Sequence, residues 1–205
     1  MIYDISMKIH PDMSVYKNRE EKKPVFETVK TFEHDGVFET NLTFNLHTGT
    51  HIDYPLHTIK GGYNSYNHSL EPFLGTAKVI DVTHVKDGIT ENELIHHDIQ
   101  ENDFIIFKTK NSFSEKFLFD FTYLEKTGAR YLVEKKVRGV GIDALGIERD
   151  QPNHPTHDTL LSKDIIILEG VRLKEVPEGL YELIMLPLNI DDVEALPVRA
   201  ILKTL

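Results

Sequence analysis

The sequence predicts an α/β fold with an antiparallel, β-rich N-terminal third followed by βαβ units. Two observations carry this prediction. Residues 24–47 hold two runs of β-type residues around a turn, whereas residues 78–168 alternate apolar strands with helical segments. No linker-like or low-complexity segment interrupts the 205 residues, so we expect residues 1–205 to form a single domain.

The N-terminal third is predicted to contain a hairpin. Polar and apolar residues alternate over residues 37–47, which predicts a half-buried strand whose polar face ends at His47. Residues 24–32 are predicted to form the preceding strand, and residues 34–36, with the sequence His-Asp-Gly, the turn between the two.

The later elements are predicted from periodicity and from capping residues. We expect strands at residues 78–82, 103–108, 138–143, 164–168, 181–188 and 198–202. We expect helices after a capping box at residues 90–93, over residues 120–136 and over residues 157–163. Because strands and helices alternate, the central strands should pair in parallel through right-handed crossovers. Arg199 is expected to pair with an acid such as Asp191 or Asp192.

The composition excludes several classes of protein. There is no cysteine, which excludes a disulfide scaffold, a zinc finger, an iron–sulfur cluster and a thiol nucleophile. The formal net charge of −10 would repel a phosphate backbone, so nucleic acid is not an expected partner. The sequence shows neither a signal peptide nor an apolar run that could span a bilayer, so we expect a cytoplasmic protein without a membrane partner.

Four side chains capable of metal binding or proton transfer follow one another at odd positions, namely His47, His51, Asp53 and His57. On an extended chain they would share one face. A straight strand would hold His47 and His51 about 13 Å apart at roughly 3.3 Å per residue, whereas two ligands of one ion lie within roughly 4 Å of each other. The chain must therefore bend between them, and Gly49 is where a bend costs least. Nitrogen and oxygen ligands without sulfur suit Zn²⁺ or Mn²⁺.

Three further polar residues lie near the ends of predicted strands or helices, where open α/β sheets place ligands. Glu169 and Asp143 each follow an apolar strand, and His157 begins a short helix. Position alone favours a structural role over a functional one for each of the three.

The pattern His-x-Gly-Thr-His-x-Asp-x-Pro-x-His over residues 47–57 resembles the defining motif of the cyclase family, which includes bacterial kynurenine formamidases (arylformamidases) and isatin hydrolases. The resemblance extends to residues 3–6, 75–82, 139–143, 160–169, 176–188 and 197–200. It implies a swivelling β/β/α domain, in which partly open, barrel-like sheets are flanked by helices. It also implies a homo-oligomer, either a dimer or a tetramer.

The resemblance implies two divalent metal ions, with zinc favoured and manganese as the alternative. Carried over position by position, the metal ligands are His47, His51, Asp53, His157 and Glu169. Asp53 would bridge the two ions, and His57 would be the catalytic acid–base group. His157 is preferred to His154 because its twelve-residue distance to Glu169 matches the family pattern.

The implied activity is hydrolysis of a small amide by metal-activated water, as in the arylformamidases that cleave N-formylkynurenine in tryptophan catabolism. The alternatives are ring opening of a cyclic amide such as isatin, and a metal- or ligand-binding relative without turnover. His57 argues against the last, because a binding protein has no need of a free base. The chain has no Trp in the region where formamidases carry Trp-Pro-Gly-Asp, and Tyr16 is predicted to take the aromatic, substrate-binding role there. Residues 144–146 also depart from the family pattern.

Overall fold

The computed structural model describes residues 1–66 and 69–205. Within these residues the fold is a β-barrel flanked by helices, with a two-stranded hairpin attached. The strands are β1 (Ile2–Asp4), β2 (Val25–Lys30), β3 (Glu39–Thr43), β4 (His51–Asp53), β5 (Leu74–Asp81), β6 (Gly88–Ile89), β7 (Phe104–Lys108), β8 (Tyr123–Leu124), β9 (Gly139–Ile142), β10 (Ile166–Glu169), β11 (Gly179–Pro187) and β12 (Ala195–Thr204). The α-helices are α1 (Phe32–Asp35), α2 (Glu91–Leu94), α3 (Lys126–Glu134) and α4 (Pro155–Leu161).

The barrel contains seven strands in the order β12-β11-β5-β7-β9-β10-β4, and β4 pairs back onto β12. The pairs β5–β7, β7–β9 and β9–β10 are parallel, as the alternation of strands and helices predicted. The barrel is closed rather than partly open because β12 is long enough to pair with β11 over most of its length and with β4 at its start. The predicted α/β fold class is thereby confirmed.

Strand β7 lies at the centre of the core, and all five of its residues are buried. Ile105 and Phe107 pack into the apolar cluster shared with α2, α3 and α4, whereas Phe104 and Ile106 pack into the cluster on the other side of the sheet. A strand that is apolar on both faces is typical of a parallel sheet covered on both sides. The capping box at Thr90 and Glu93 is present and begins α2.

The hairpin differs from its prediction in both burial and length. Strands β2 and β3 pair antiparallel, but every residue of both strands is exposed, so β3 is not half-buried. The second strand ends at Thr43, and His47 lies in the irregular segment that follows. The alternation in the sequence therefore predicted a strand correctly, but it did not show that both faces of this strand are exposed to solvent.

The predicted helix over residues 120–136 is also shorter than expected. Residues 123 and 124 form β8, which pairs with β6 through Gly88 and Ile89. The helix begins only at Lys126, because the Glu125 side chain accepts a hydrogen bond from the backbone N–H of Thr127 and so caps the first turn.

Near the C-terminus, Arg199 pairs with Asp4 and not with Asp191 or Asp192. Its Nε and Nη2 atoms lie 3.0 and 2.5 Å from the two Asp4 carboxylate oxygens, and so join β12 to β1. The register of these two neighbouring strands brings the pair together. Within residues 1–66 and 69–205, no helix has the length and apolar character needed to cross a membrane.

Candidate metal centre

Strand β4 supplies the middle of the site. His51 and Asp53 lie two residues apart on it, and Glu169 of β10 is the direct cross-strand partner of His51. Gly49 has a φ of +69°, which turns the chain just before the strand. This turn returns His47 to the same place, with its Nδ1 atom 3.3 Å from His51 Nε2. The bend predicted from the spacing of the histidines is present at the residue expected.

Of the five predicted ligands, the three histidines converge on the carboxylates of the other two, Asp53 and Glu169. Asp53 Oδ1 lies 3.1 Å from His47 Nδ1 and 3.6 Å from His51 Nε2. The other oxygen, Asp53 Oδ2, lies 3.6 Å from His157 Nε2. The Glu169 oxygens complete the cluster, with Oε2 3.4 Å from His51 Nε2 and Oε1 3.4 Å from His157 Nε2. Asp53 is thus the residue that the two halves of the cluster share.

The Asp53 carboxylate shows that this cluster fits a metal ion. Both of its oxygens are buried, and neither makes a hydrogen bond of ordinary geometry with a described residue. A buried carboxylate without such partners is costly, and a cation bound among neighbouring imidazoles removes that cost. Two overlapping groups around it, His47–Asp53–His57 and His51–Asp53–Glu169, have their ligand atoms close enough to hold one ion each. The nitrogen and oxygen donors suit a divalent ion such as zinc or manganese.

The pKa values of His51 and Glu169 also indicate that this cluster favours positive charge. Burial alone would lower the pKa of His51, but its hydrogen bond to Glu169 and the charge of Asp53 raise that pKa to about 9. Burial and the Asp53 charge would raise the pKa of Glu169, but hydrogen bonds from His157 and His51 lower it to about 2. Hydrogen bonds and charges of the neighbouring histidines lower the pKa of Asp53 as well, so Asp53 and Glu169 both stay ionised. Their negative charge favours either protonated imidazoles or a metal ion in place of those protons.

His57 occupies a different position from the other histidines. It ends a short 3-10 turn, Pro55–His57, and its ring centre lies 4.2 Å from that of His47 and 5.4 Å from that of His157. His57 is exposed to solvent, but neighbouring groups partly desolvate its ring and so lower its pKa, and the imidazole is therefore largely neutral at pH 7 and available to accept a proton. It stands beside both halves of the cluster.

A cavity of about 320 Å³ opens over the cluster, with His57, His157 and Glu169 in its wall. Tyr16 lines this cavity, half-buried and packed edge-to-face on Phe117 with ring centres 5.4 Å apart. A Cβ atom at Gly146 would lie 3.1 Å from the Tyr16 ring, so the glycine makes room for the aromatic side chain. The structure thus brings Tyr16 and the altered segment 144–146 together at the metal cluster.

Sequence reasoning missed two acidic residues that contact the histidines from outside the cluster. Glu148 Oε1 lies 2.6 Å from His157 Nδ1, and Glu194 Oε1 lies 3.2 Å from His47 Nε2. The spacing in the sequence singles out neither acid, because Glu148 lies 9 residues before His157 and Glu194 lies 147 residues after His47. Asp143, in contrast, accepts hydrogen bonds from Thr109 and Ser112 within the core, a structural role.

Comparison with known proteins identifies the family. The sequence profile of the family described as "Cyclase" matches residues 3–149. The chain belongs to the cyclase family. The kynurenine formamidase of Salinibacter ruber is 31% identical to it over 98% of this chain and 97% of the relative, and that of Bacillus cereus is 33% identical over 79% and 78%. The histidine-rich motif at residues 47–57 lies within the matched range.

Solved structures agree with this assignment. A structure described as a "predicted metal-dependent hydrolase from Bacillus stearothermophilus" is 48% identical, with a TM-score of 0.91 over 98% of this chain and 97% of that one. Isatin hydrolase A from Labrenzia aggregata shares the fold, with a TM-score of 0.83 over 100% of this chain and 93% of that one at 23% identity. The expected class, a metal-dependent amidohydrolase of the arylformamidase type, is confirmed.

Proposed function

We propose that this protein hydrolyses the amide bond of an aryl formamide such as N-formylkynurenine, in the breakdown of tryptophan. The observation that carries the proposal is the convergence of three imidazoles, those of His47, His51 and His157, on the buried, unsatisfied carboxylate of Asp53. The formamidases of Salinibacter ruber and Bacillus cereus support it as relatives over most of their length.

In this proposal the cluster holds two divalent ions, zinc in preference to manganese. The ligands of one ion are His47, His51 and Asp53, and those of the other are Asp53, His157 and Glu169. Bound there, the ions would lower the pKa of a water molecule to about 7 and polarise the amide carbonyl.

His57 is the acid–base group of the proposed reaction. Partial desolvation of its ring lowers its pKa below the ordinary value of about 6.5, so the imidazole is neutral at pH 7 and can take a proton from the attacking water. The protonated ring can then return that proton to the leaving nitrogen, which departs as an aromatic amine. No serine or cysteine nucleophile is needed for this sequence of steps.

Tyr16 forms the aromatic wall of the proposed substrate pocket. The ammonium groups of Lys17 and Lys22 lie 5.3 and 5.5 Å from the centre of its ring, and both residues line the same cavity. A substrate with an aromatic ring and a carboxylate suits these three side chains. N-formylkynurenine has both groups, whereas isatin has no carboxylate. This difference favours the formamide over the cyclic amide.

A substrate panel tests the proposal. The purified protein, loaded with zinc or manganese, should hydrolyse N-formylkynurenine with a higher kcat/KM than N-formylaniline, which has no carboxylate, and should open isatin poorly. Preferential opening of isatin would contradict the formamide and support a lactam hydrolase. Failure to hydrolyse any amide, ester or lactam with metal bound would support a binding protein without turnover.

The proposal extends to the whole chain as one hydrolase domain, working in the cytoplasm as a homo-oligomer, a dimer or a tetramer. The hairpin of β2 and β3 supports the oligomer, because an isolated two-stranded hairpin is at best marginally stable in water and this one exposes several large apolar side chains. A second copy of this chain that covers the hairpin would bury them. Light scattering should give a mass above the 23.6 kDa of one chain, and fractionation of expressing cells tests the location.

A further inference from the structure

Each histidine of the metal cluster has one ring nitrogen directed at the carboxylates and one directed at an acceptor outside the cluster. His51 directs Nδ1 at the backbone oxygen of Gly49, at 3.0 Å. His157 and His47 direct their outer nitrogens at Glu148 and Glu194 instead, at 2.6 and 3.2 Å. An imidazole that binds a metal commonly donates its other N–H to such an acceptor, which fixes the tautomer and the plane of the ring.

Glu148 is held rigidly in this position. Its side chain is only 4% exposed. Its Oε2 atom accepts hydrogen bonds from the backbone N–H of Thr156 and from the amide of Gln151, both at 3.0 Å. Because the carboxylate is anchored from two sides, Oε1 is presented to His157 in one orientation.

Glu194 is placed by the barrel but is less constrained. It directly precedes β12, and its backbone oxygen accepts a hydrogen bond from the N–H of Tyr54, next to Asp53. Its side chain is 37% exposed. His47 itself lies in an irregular segment, so the sheet does not fix its ring as it fixes that of His51. The carboxylate of Glu194 is the acidic group that meets the outer nitrogen of His47.

We propose that Glu148 and Glu194 are positioning residues for the two metal ions, and that each acts on a different ion. Glu148 would orient His157 and so serve the ion shared by Asp53, His157 and Glu169. Glu194 would orient His47 and so serve the other ion. This inference rests on the metal ligands assigned in the proposed function. It adds that the two ions depend on separate carboxylates, of which Glu148 is buried and Glu194 is partly exposed.

The test measures zinc binding rather than turnover. Zinc affinity is determined by competition with a chelating indicator, and zinc content by elemental analysis, for Glu194→Ala, Glu194→Gln and Glu148→Gln. Glu194→Ala and Glu148→Gln should each lower the affinity for one of the two zinc ions by roughly 10- to 100-fold. Glu194→Gln should recover most of the loss, because its amide oxygen can still accept from His47. Glu148→Gln has no such escape, because both oxygens of Glu148 accept hydrogen bonds and the new NH2 group would have to face a donor. Glu182→Gln, on the exposed face of β11, removes the same charge far from the cluster and should bind zinc like the wild type.

Two further backgrounds assign each carboxylate to its ion. In the His47→Ala background, Glu194→Ala should cause no further loss of zinc affinity. Glu148→Gln should still lower the affinity for the ion that remains bound. In His157→Ala, the two effects should be reversed. Thermal unfolding of the metal-free variants, compared with metal-free wild type, separates loss of binding from loss of folding.

The outcomes are distinguishable. Equal losses from Glu194→Ala with and without His47 would overturn the inference, as would wild-type affinity in both single variants. If the wild-type protein bound no zinc or manganese, the proposed function would fail and this inference with it. If the wild-type protein bound two ions and the variants bound zinc with the same affinity, this inference would fail while the proposed function would stand.

Discussion

The carbonyl oxygen of Gly49 occupies the space that a side chain at Gly170 would need. A Cβ atom built on Gly170 would lie 2.2 Å from that oxygen, far inside van der Waals contact. Both glycines have a φ of +69°. One bends the chain between His47 and His51, and the other directly follows Glu169. The close approach of two backbones therefore brings together the segments that carry His47, His51 and Glu169.

Gly170→Ala should damage the metal centre. The new methyl group would collide with backbone, which cannot move aside as a flexible side chain could, and the left-handed conformation adds roughly 1–2 kcal/mol of strain. We expect a lower free energy of unfolding and a loss of zinc affinity, measured by urea unfolding and by indicator competition. Gly36→Ala is the matched control, because Gly36 has a φ of +71° with no atom within 4 Å of the added Cβ. Equal effects of the two substitutions would show that the close approach does not matter.

Asp53→Ala should abolish metal binding and activity together. The substitution removes the carboxylate that both halves of the cluster share, and leaves His47, His51 and His157 without their common acidic partner. Elemental analysis of the purified variant checks this expectation. Full metal content in Asp53→Ala would contradict a bridging role for Asp53.

His57→Ala should keep its metal but lose most of its activity. The imidazole is assigned to proton transfer, so the expected decrease in kcat is roughly 10²- to 10⁴-fold. Metal content separates this role from that of a ligand, because a nitrogen of His57 also lies within 4.8 Å of the ligand atoms of His47 and Asp53. A variant that had lost an ion would make His57 a ligand, and near-normal turnover would mean that another group moves the proton.

Asp4→Asn should reduce stability in a pH-dependent way. Burial opposes the shift, but hydrogen bonds from Arg199 and Ser6 lower the pKa of Asp4 below its ordinary value. An acid whose pKa is lower in the folded state contributes stability above the pKa of the unfolded state, about 3.9, and loses it as the pH falls through the folded value. Urea unfolding should therefore show a gap between wild type and variant at pH 7 that narrows below about pH 4. A gap that stays constant with pH would mean that the ion pair contributes nothing.

Substitutions at the end of the hairpin should lower the mass of the protein in solution. Phe32 and Phe38 contact each other there and are 68% and 58% exposed. If a second copy covers them, Phe32→Ser with Phe38→Ser should shift the protein toward the mass of one chain in light scattering at equal concentration. Phe119→Ser is the control, since Phe119 is equally exposed, at 65%, but lies outside the hairpin. An unchanged mass in the double variant would place any interface elsewhere.

Much of the fold could be predicted because the signals were local. The parallel strands were visible as short apolar runs, and the capping box at Thr90 and Glu93 lies within four residues. The extent of the hairpin and of α3 could not be predicted in the same way. Alternation along β3 indicates a strand but not whether anything packs on it, and the start of α3 depends on the cap at Glu125 and on the pairing of β8 with β6.

For the candidate metal centre, local patterns in the sequence predicted the motif of histidines and aspartate at residues 47–57 and the bend at Gly49, because spacing and backbone geometry act within a few residues. Which acids reach that motif depends on the tertiary structure. Glu169 lies opposite His51 through the register of β10 on β4, and Glu194 reaches His47 through the pairing of β12 with β4. Contacts between residues far apart in the chain arise from strand register and barrel closure, which no local pattern encodes.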